Sequence, residues 1–237
     1  MQQAKDWPYA VVFDLDGTLV DSAPDIAHAL NETFANLGLR GFSLEEVKAM
    51  IGGGVPKLLE RALAARGDSA TQLSKAVSAF IEIYRNNLTV RTTLYDGAGE
   101  LLKKLYEEGR LLGLCTNKPH DLTVEVLKQL NIARFFSAVA GGSPGAPKKP
   151  DPASLLEVLA ELGVTPEDAV MIGDSAADVG CAAGAGVPVV LVSFGYSHGS
   201  PLDLGADAVA ERLADMPECF TSLRAPISRE TTPGMRL

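Results

Sequence analysis

The sequence contains no apolar stretch approaching the roughly 20 residues that cross a bilayer, which argues against a membrane-spanning role. Cysteine is scarce. Cys115, Cys181 and Cys219 are odd in number and lack the paired spacing of a metal site, so no disulfide framework is expected. Cys115 lies in an apolar run and reads as a buried free thiol, which fits a reducing, cytoplasmic setting. Residues 1–6 lack the apolar centre of a secretory signal. Basic charge is also in deficit: 21 Lys and Arg face 30 Asp and Glu, for a formal charge of −9. A nucleic-acid partner is therefore disfavoured. An anionic small molecule remains admissible, given local help from lysine, arginine, backbone N–H groups or a metal. There is no internal repeat and no low-complexity tract.

Of the 237 residues, 46% are hydrophobic and 22% charged, close to the globular average and enough for a sizeable core. One domain, or a domain with a smaller insert, fits this length. Residues 20–91 read as helices only. Ser22-Ala23-Pro24-Asp25 has the form of a capping box, and Ile26, Leu30, Phe34 and Leu37 follow at helical spacing up to Gly38. Ser43-Leu44-Glu45-Glu46 is a second such box. After Gly52-Gly53-Gly54 a helix is predicted over 55–66. Another over 71–88 carries Leu73, Val77, Phe80, Tyr84 and Leu88 on one stripe.

From residue 92 onward, strands alternate with helices. Strands are predicted at 111–115, 138–140, 169–172, 189–192 and 208–209, and helices at 97–108, 121–130, 152–162 and 176–185. That alternation points to parallel βαβ units. Ala10-Val11-Val12-Phe13 is the apolar run of a strand buried on both faces, so residues 20–91 interrupt an α/β fold just after its first strand. The expected division is an α/β core over 1–19 and 92–237 with a helical insert over 20–91. Inserts at that rim of a parallel sheet tend to cover the ligand site.

Each unusual polar motif follows a predicted buried strand. Asp14 and Asp16 follow the first, Thr116-Asn117 the second, Gly141-Gly142 the third and Gly173-Asp174 the fourth. In open α/β sheets the carboxyl ends of the strands form the ligand crevice, so the four motifs are expected to converge. If the first strand continues, Asp14 and Asp16 point to the same side. Two carboxylates there incur desolvation and repulsion unless a cation or a reaction requires them. Gly17 permits a sharp exit and close backbone approach. The plainer reading of these aspartates, and of Thr116, is as turn or helix-capping residues.

Asp14-Leu15-Asp16-Gly17-Thr18-Leu19-Val20-Asp21-Ser22 resembles the first motif of the haloacid dehalogenase (HAD) superfamily of phosphohydrolases, and the resemblance covers nearly the whole chain. It implies a Rossmann-like parallel-sheet core with an inserted all-helical cap. It also implies that Asp14 attacks phosphorus and that Asp16 serves as general acid, then as base. Dehalogenating members lack the second aspartate, so dehalogenation is disfavoured. Gly173-Asp174-Ser175-Ala176-Ala177-Asp178 resembles the fourth motif, which implies Mg²⁺ held by Asp174, the Asp14 carboxylate and the Asp16 carbonyl. Asp178 either binds a metal water or orients Lys149. Thr116 resembles the phosphoryl-binding hydroxyl of the second motif, and Asn117 adds its backbone N–H.

Lys149 in Lys149-Pro150-Asp151-Pro152 matches the third motif, in preference to the adjacent Lys148. Gly141-Gly142-Ser143 departs from the Gly-Gly-Asp common before this loop. Residues 51–56 and 195–199 resemble bacterial phosphoglycolate phosphatases, although His198 reads as a surface loop residue. The resemblance thus implies hydrolysis of 2-phosphoglycolate by a cytoplasmic monomer or small homo-oligomer. The substrate carboxylate needs a donor on the cap side, for which the backbone of Gly52, Gly53 and Gly54 or the Arg61 side chain are candidates. The triple glycine also reads as a hinge or a tight turn. Alternatives are a phosphatase for another small ester such as a sugar phosphate, a phosphomutase on the same fold, or a non-catalytic module that binds phosphometabolites.

Overall fold

The computed structural model describes residues 7–67, 72–197 and 199–224. The readings of His198 and of the tail from Ala225 lie outside the described residues. The chain runs β1 (Ala10–Phe13), β2 (Val20–Asp21), α1 (Ala23–Asn36), α2 (Leu44–Lys48), α3 (Val55–Ala65), α4 (Leu73–Arg85), β3 (Thr93–Leu94) and α5 (Ala98–Glu107). It continues through β4 (Leu111–Pro119), α6 (His120–Gln129), β5 (Ala138–Gly142), α7 (Ala153–Leu162), β6 (Ala169–Gly173), α8 (Ala176–Ala185), β7 (Val189–Val192), β8 (Ala208–Ala210) and α9 (Met216–Arg224). Among the described residues, no helix is long and apolar enough to cross a membrane.

Six strands form one sheet in the order β5-β4-β1-β6-β7-β8, and all of its pairings are parallel. β1 is central, with Ala10 opposite both Leu111 of β4 and Ala169 of β6. Strand alternation explains why all four of its residues are apolar. Val11 and Phe13 join the core on one face, with residues of α5, α6 and α9, while Ala10 and Val12 join the core on the other, with residues of α7 and α8. The strand order reverses direction at β1. The crevice of a doubly wound sheet therefore opens at its carboxyl end, where Asp14 emerges.

The helices α1–α4 form a separate layer built on Ile26, Leu30 and Phe34 of α1 and on Ala76, Phe80 and Tyr84 of α4, all buried. The expectation of helix alone over 20–91 fails at its first two residues. Val20 and Asp21 pair antiparallel with Leu94 and Thr93, a ribbon that joins the two places where the chain passes between sheet and helical layer. Two residues per strand are too few to show a period-2 pattern. Asp25 stitches the same crossing, accepting from the backbone N–H groups of Arg91 and Thr92 and from the Thr92 hydroxyl, all within 3.1 Å.

That use of Asp25 removes it from the first capping box, which does not form. Ser22 instead donates from Oγ to Asp16 Oδ1 at 2.6 Å. The cap of α1 comes from 174 residues away: Tyr196 Oη accepts from Ser22 N at 2.7 Å and Ala23 N at 2.9 Å, and donates to Asp21 Oδ1 at 2.9 Å. Tyr196→Phe leaves both buried N–H groups without this acceptor. Loss of roughly 1–3 kcal/mol is expected, seen as a lower urea midpoint at unchanged slope. A loss below about 0.5 kcal/mol would mean that water replaces the hydroxyl. The second box forms as expected, with reciprocal bonds between Ser43 and Glu46. Helix α9 was not anticipated, although Pro217 and Glu218 in its first turn are ordinary start signals.

Candidate active site

The backbone of Asp14 continues the sheet ladder by donating to Ile172 O at 2.8 Å, so its carboxylate is fixed at the sheet's rim. Its Oδ1 lies 2.8 Å from Lys149 Nζ but has no well-aligned hydrogen bond. Lys149 Nζ also donates to Asp178 Oδ1 at 2.6 Å. Asp178 Oδ2 accepts from Ser175 Oγ (2.6 Å), Ser175 N (3.0 Å) and Asp174 N (3.2 Å). Asp174 Oδ2 accepts from Tyr196 N at 2.7 Å. Oxygen atoms of Asp14, Asp174 and Asp178, all three buried, lie within 4.8 Å of one another.

Gly17 and Gly195 make this crowding possible. Gly17 has φ of +85°, and a Cβ there would stand 2.4 Å from Asp174 Oδ2; at Gly195 it would stand 2.3 Å from Asp174 Cβ.

Three buried carboxylates thus face one ammonium, an excess of negative charge that a divalent cation with a preference for carboxylate oxygen would neutralise. Burial, outweighing Lys149, pushes the Asp14 carboxyl up to about 6. Burial and then the neighbouring Asp178 and Asp14 raise Asp174 well above the usual carboxylate range. Burial works against the Lys149 ammonium, but Asp14 and Asp178 outweigh it and hold it above the usual lysine value. Asp14 Oδ1, facing Lys149 without an aligned hydrogen bond, and the crowded carboxylate oxygens fit a bound metal ion.

The family model for haloacid dehalogenase-like hydrolases matches residues 11–192. The chain belongs to the haloacid dehalogenase-like hydrolase family. It is 42% identical over 217 residues to a phosphoglycolate phosphatase of Rhodospirillum rubrum, covering 88% of this chain and 89% of that one. A phosphoglycolate phosphatase of Pseudomonas putida is 36% identical, with 95% and 88% covered. Among solved structures, a haloacid dehalogenase-like family hydrolase of Streptococcus pneumoniae superposes with a TM-score of 0.81 at 27% identity, covering 89% of this chain and 97% of that one.

In this hydrolase β1 ends at Phe13, before the two aspartates, and Asp14 and Asp16 take different lysine partners. Asp16 turns to a second lysine: Lys118 Nζ donates to its Oδ1 at 2.9 Å and Oδ2 at 3.2 Å. Lys118 Nζ also donates to Tyr84 Oη at 2.6 Å. Burial disfavours the Lys118 charge, but Asp16 and Tyr84 outweigh it and raise its pKa above the usual lysine value. Burial pushes the Tyr84 hydroxyl up to about 12. Neither residue was singled out for chemistry from sequence. Tyr84 lay on an apolar helical stripe and read as core. Lys118 had an available signal, since it shares a strand face with Thr116 two residues earlier.

The strand β4 runs on to Pro119 with irregular register after Cys115. Thr116 and Asn117 are thus within β4, not at the start of α6, and Thr116 is no helix cap. The buried Thr116 accepts from Lys118 N at 3.3 Å. Asn117 does more than lend its backbone. Its Oδ1 accepts from Lys149 N (2.9 Å), and its Nδ2 donates to Lys149 O (3.0 Å) and to Gly52 O (3.1 Å). One side chain therefore holds the Lys149 loop and the helical layer's glycine loop together.

Residues 51–54 border two spaces. An inner cavity of about 50 Å³ is bounded by Asp14, Asp16, Lys118 and Tyr84, with Gly52 and Gly54 beside them. An outer cleft of about 510 Å³ is bounded by Gly53, Lys48, Lys57, Arg61, Lys149 and Asp174. The cleft supplies the local positive charge that an anionic ligand needs on a protein of net negative charge. Cys115, Cys181 and Cys219 are free and buried.

Proposed function

We propose that the protein is a Mg²⁺-dependent phosphomonoester hydrolase that converts 2-phosphoglycolate to glycolate and phosphate through an aspartyl-phosphate. The observation that carries this reading is the buried set of Asp14, Asp174, Asp178 and Lys149 at the carboxyl end of the central strand. Asp14 attacks phosphorus with the carboxylate oxygen that does not face Lys149. Asp16 donates a proton to the leaving glycolate oxygen, then accepts one from the water that cleaves the phosphoenzyme. Lys149, aligned by Asp178, and the Thr116 hydroxyl balance charge on the phosphoryl oxygens. Asn117 keeps Lys149 in register through its backbone.

The Asp14 and Asp174 carboxylates, with the Asp16 carbonyl, would hold the cation. Asp178 belongs to the same cluster, but its oxygens already serve Lys149, Asp174 N and Ser175, which favours a role in orienting Lys149. When bound, Mg²⁺ supplies further electrostatic stabilisation to the transferring phosphoryl group.

The reading assigns residues 1–19 and 92–237 to the catalytic core and 20–91 to a cap, with the β2–β3 ribbon at their boundary. Closure of the cap on a small phosphorylated metabolite excludes bulk water. The phosphoglycolate phosphatase relatives supply the substrate. A monomer or small homo-oligomer in the cytoplasm suits this activity.

The test is phosphate release with Mg²⁺ from a panel of small phosphomonoesters, with product analysis. Selective release from 2-phosphoglycolate is expected. Preference for a sugar phosphate would overturn the substrate, an isomerised sugar phosphate in place of free phosphate would indicate a mutase, and binding without turnover would leave only a binding module.

A further inference from the structure

The inner cavity contains the feature that the mechanism above does not use. Among the described residues that bound it, Lys118 is the only cation. Arg61, the side chain that sequence reasoning offered for a substrate carboxylate, lies elsewhere: it borders the outer cleft and donates from Nη1 to Met50 O at 2.9 Å. Lys118 is 5% exposed and Tyr84 1% exposed. Ile26, Leu58 and Phe80, which bound the same cavity, are apolar, so these three offer no competing hydrogen-bond partner and strengthen a charge-assisted bond formed beside them.

Tyr84 Oη accepts from Lys118, which leaves its own O–H free to donate to another acceptor.

Position adds the chemical class. Asp16 must come within hydrogen-bond reach of the ester oxygen to protonate it, about 2.7 Å. Lys118 Nζ is itself only 2.9 Å from Asp16 Oδ1. An ester oxygen at Asp16 therefore places Lys118 beside whatever group the substrate carries one carbon further on. In a 2-phosphooxy carboxylate that group is the carboxylate, joined to the ester oxygen through a single carbon. We propose that Lys118 Nζ and Tyr84 Oη together bind the carboxylate of the substrate's leaving group, and so select 2-phosphooxy carboxylates over neutral alkyl phosphates. This rests on the phosphomonoesterase reading given above. Lys118 bridges the substrate carboxylate and Asp16, while Tyr84 brings a donor from the helical layer, so that recognition and closure of the cap use the same hydroxyl.

The experiment compares kcat/KM for 2-phosphoglycolate with that for ethyl phosphate, in which a methyl replaces the carboxylate. A site built to pair a polar group rejects the analogue lacking it strongly, so the wild type is expected to prefer 2-phosphoglycolate by at least about 10²-fold. In Lys118→Met the ratio should collapse to within about tenfold of unity. In Tyr84→Phe, which keeps the ring and its packing, the ratio should fall about tenfold, mostly through KM for 2-phosphoglycolate. Thermal unfolding checks that each variant is folded, and Tyr84→Phe carries the test if Lys118→Met does not fold. A ratio unchanged in the folded variants, with both substrates slowed alike, would overturn the proposal and leave Lys118 as a residue that only positions Asp16. If the wild type releases phosphate from neither ester, the hydrolase reading itself fails, and this inference with it.

Discussion

Asp14→Asn is expected to lower phosphate release by at least about 10⁴-fold while retaining the fold, the scale on which loss of a nucleophile acts. An amide does not attack phosphorus, and the neighbouring carboxylates are already engaged, Asp174 by Tyr196 N. Asp16 is held by Lys118 and Ser22, and Asp178 by Lys149 and Ser175. A second readout follows from electrostatics. Burial raises the Asp14 carboxyl from 3.8 to about 6 in the folded chain. The folded state therefore binds that proton more tightly than the unfolded state. Stability is fully present below about pH 4 and is lost as pH rises through about 6.

The asparagine variant has no such loss. In metal-free buffer it should be more stable than wild type at pH 8, by on the order of 1–3 kcal/mol, and the difference should vanish near pH 4. Lys149 retains Asp178 as a partner at 2.6 Å, so removing the Asp14 charge does not strand a buried ammonium. Thermal unfolding at both pH values measures this. A variant less stable than wild type at pH 8 would show that the Lys149 contact outweighs the crowding of the carboxylates. An active variant would sink the mechanism.

Removal of divalent metal is expected to abolish turnover and restoration of Mg²⁺ to recover it. The cation should also stabilise the fold, by about 2.7 kcal/mol at a hundred times its Kd. Because Asp14 and Asp174 are both raised above the ordinary range, protons compete with the cation. The rise in melting temperature with Mg²⁺ should accordingly be larger at pH 8 than at pH 5. Equal rises at the two pH values, or activity that survives thorough chelation, would contradict a metal held by these carboxylates.

The α/β layout was legible because its signals are local and strong. Four-residue apolar runs such as residues 10–13 admit few readings when glycine and aspartate motifs follow them. Gly163 and Gly186 end α7 and α8 in the left-handed conformation. What escaped was set by distant contacts. The first capping box had the right residues, but Asp16, Arg91, Thr92 and Tyr196 claimed them, and nothing within the box reveals that competition.

The same holds for the site. Asp14, Asp174, Asp178 and Lys149 are brought together as their motifs implied. Lys118 pairs with both Asp16 and Tyr84, and the second of these comes from a helix more than thirty residues upstream of that lysine. Thr116 and Asn117 lie within β4 and not after it, because the strand continues past Cys115 through an irregular register that apolar patterning does not reveal.

The central position of β1 has a bearing on how the chain is made. A ribosome delivers residues 10–13 well before both neighbours of this strand, which lie far downstream at residues 111–114 and 169–172. Until those emerge, this all-apolar strand has two open edges, a template for pairing with other chains. The α1–α4 layer, built from neighbouring helices, can condense meanwhile, but α1 is completed only when Tyr196 arrives. Asp14, at the end of this strand, is thus enclosed only after β4 and β6 have been made, so brief protection of the nascent β1 segment should raise yield.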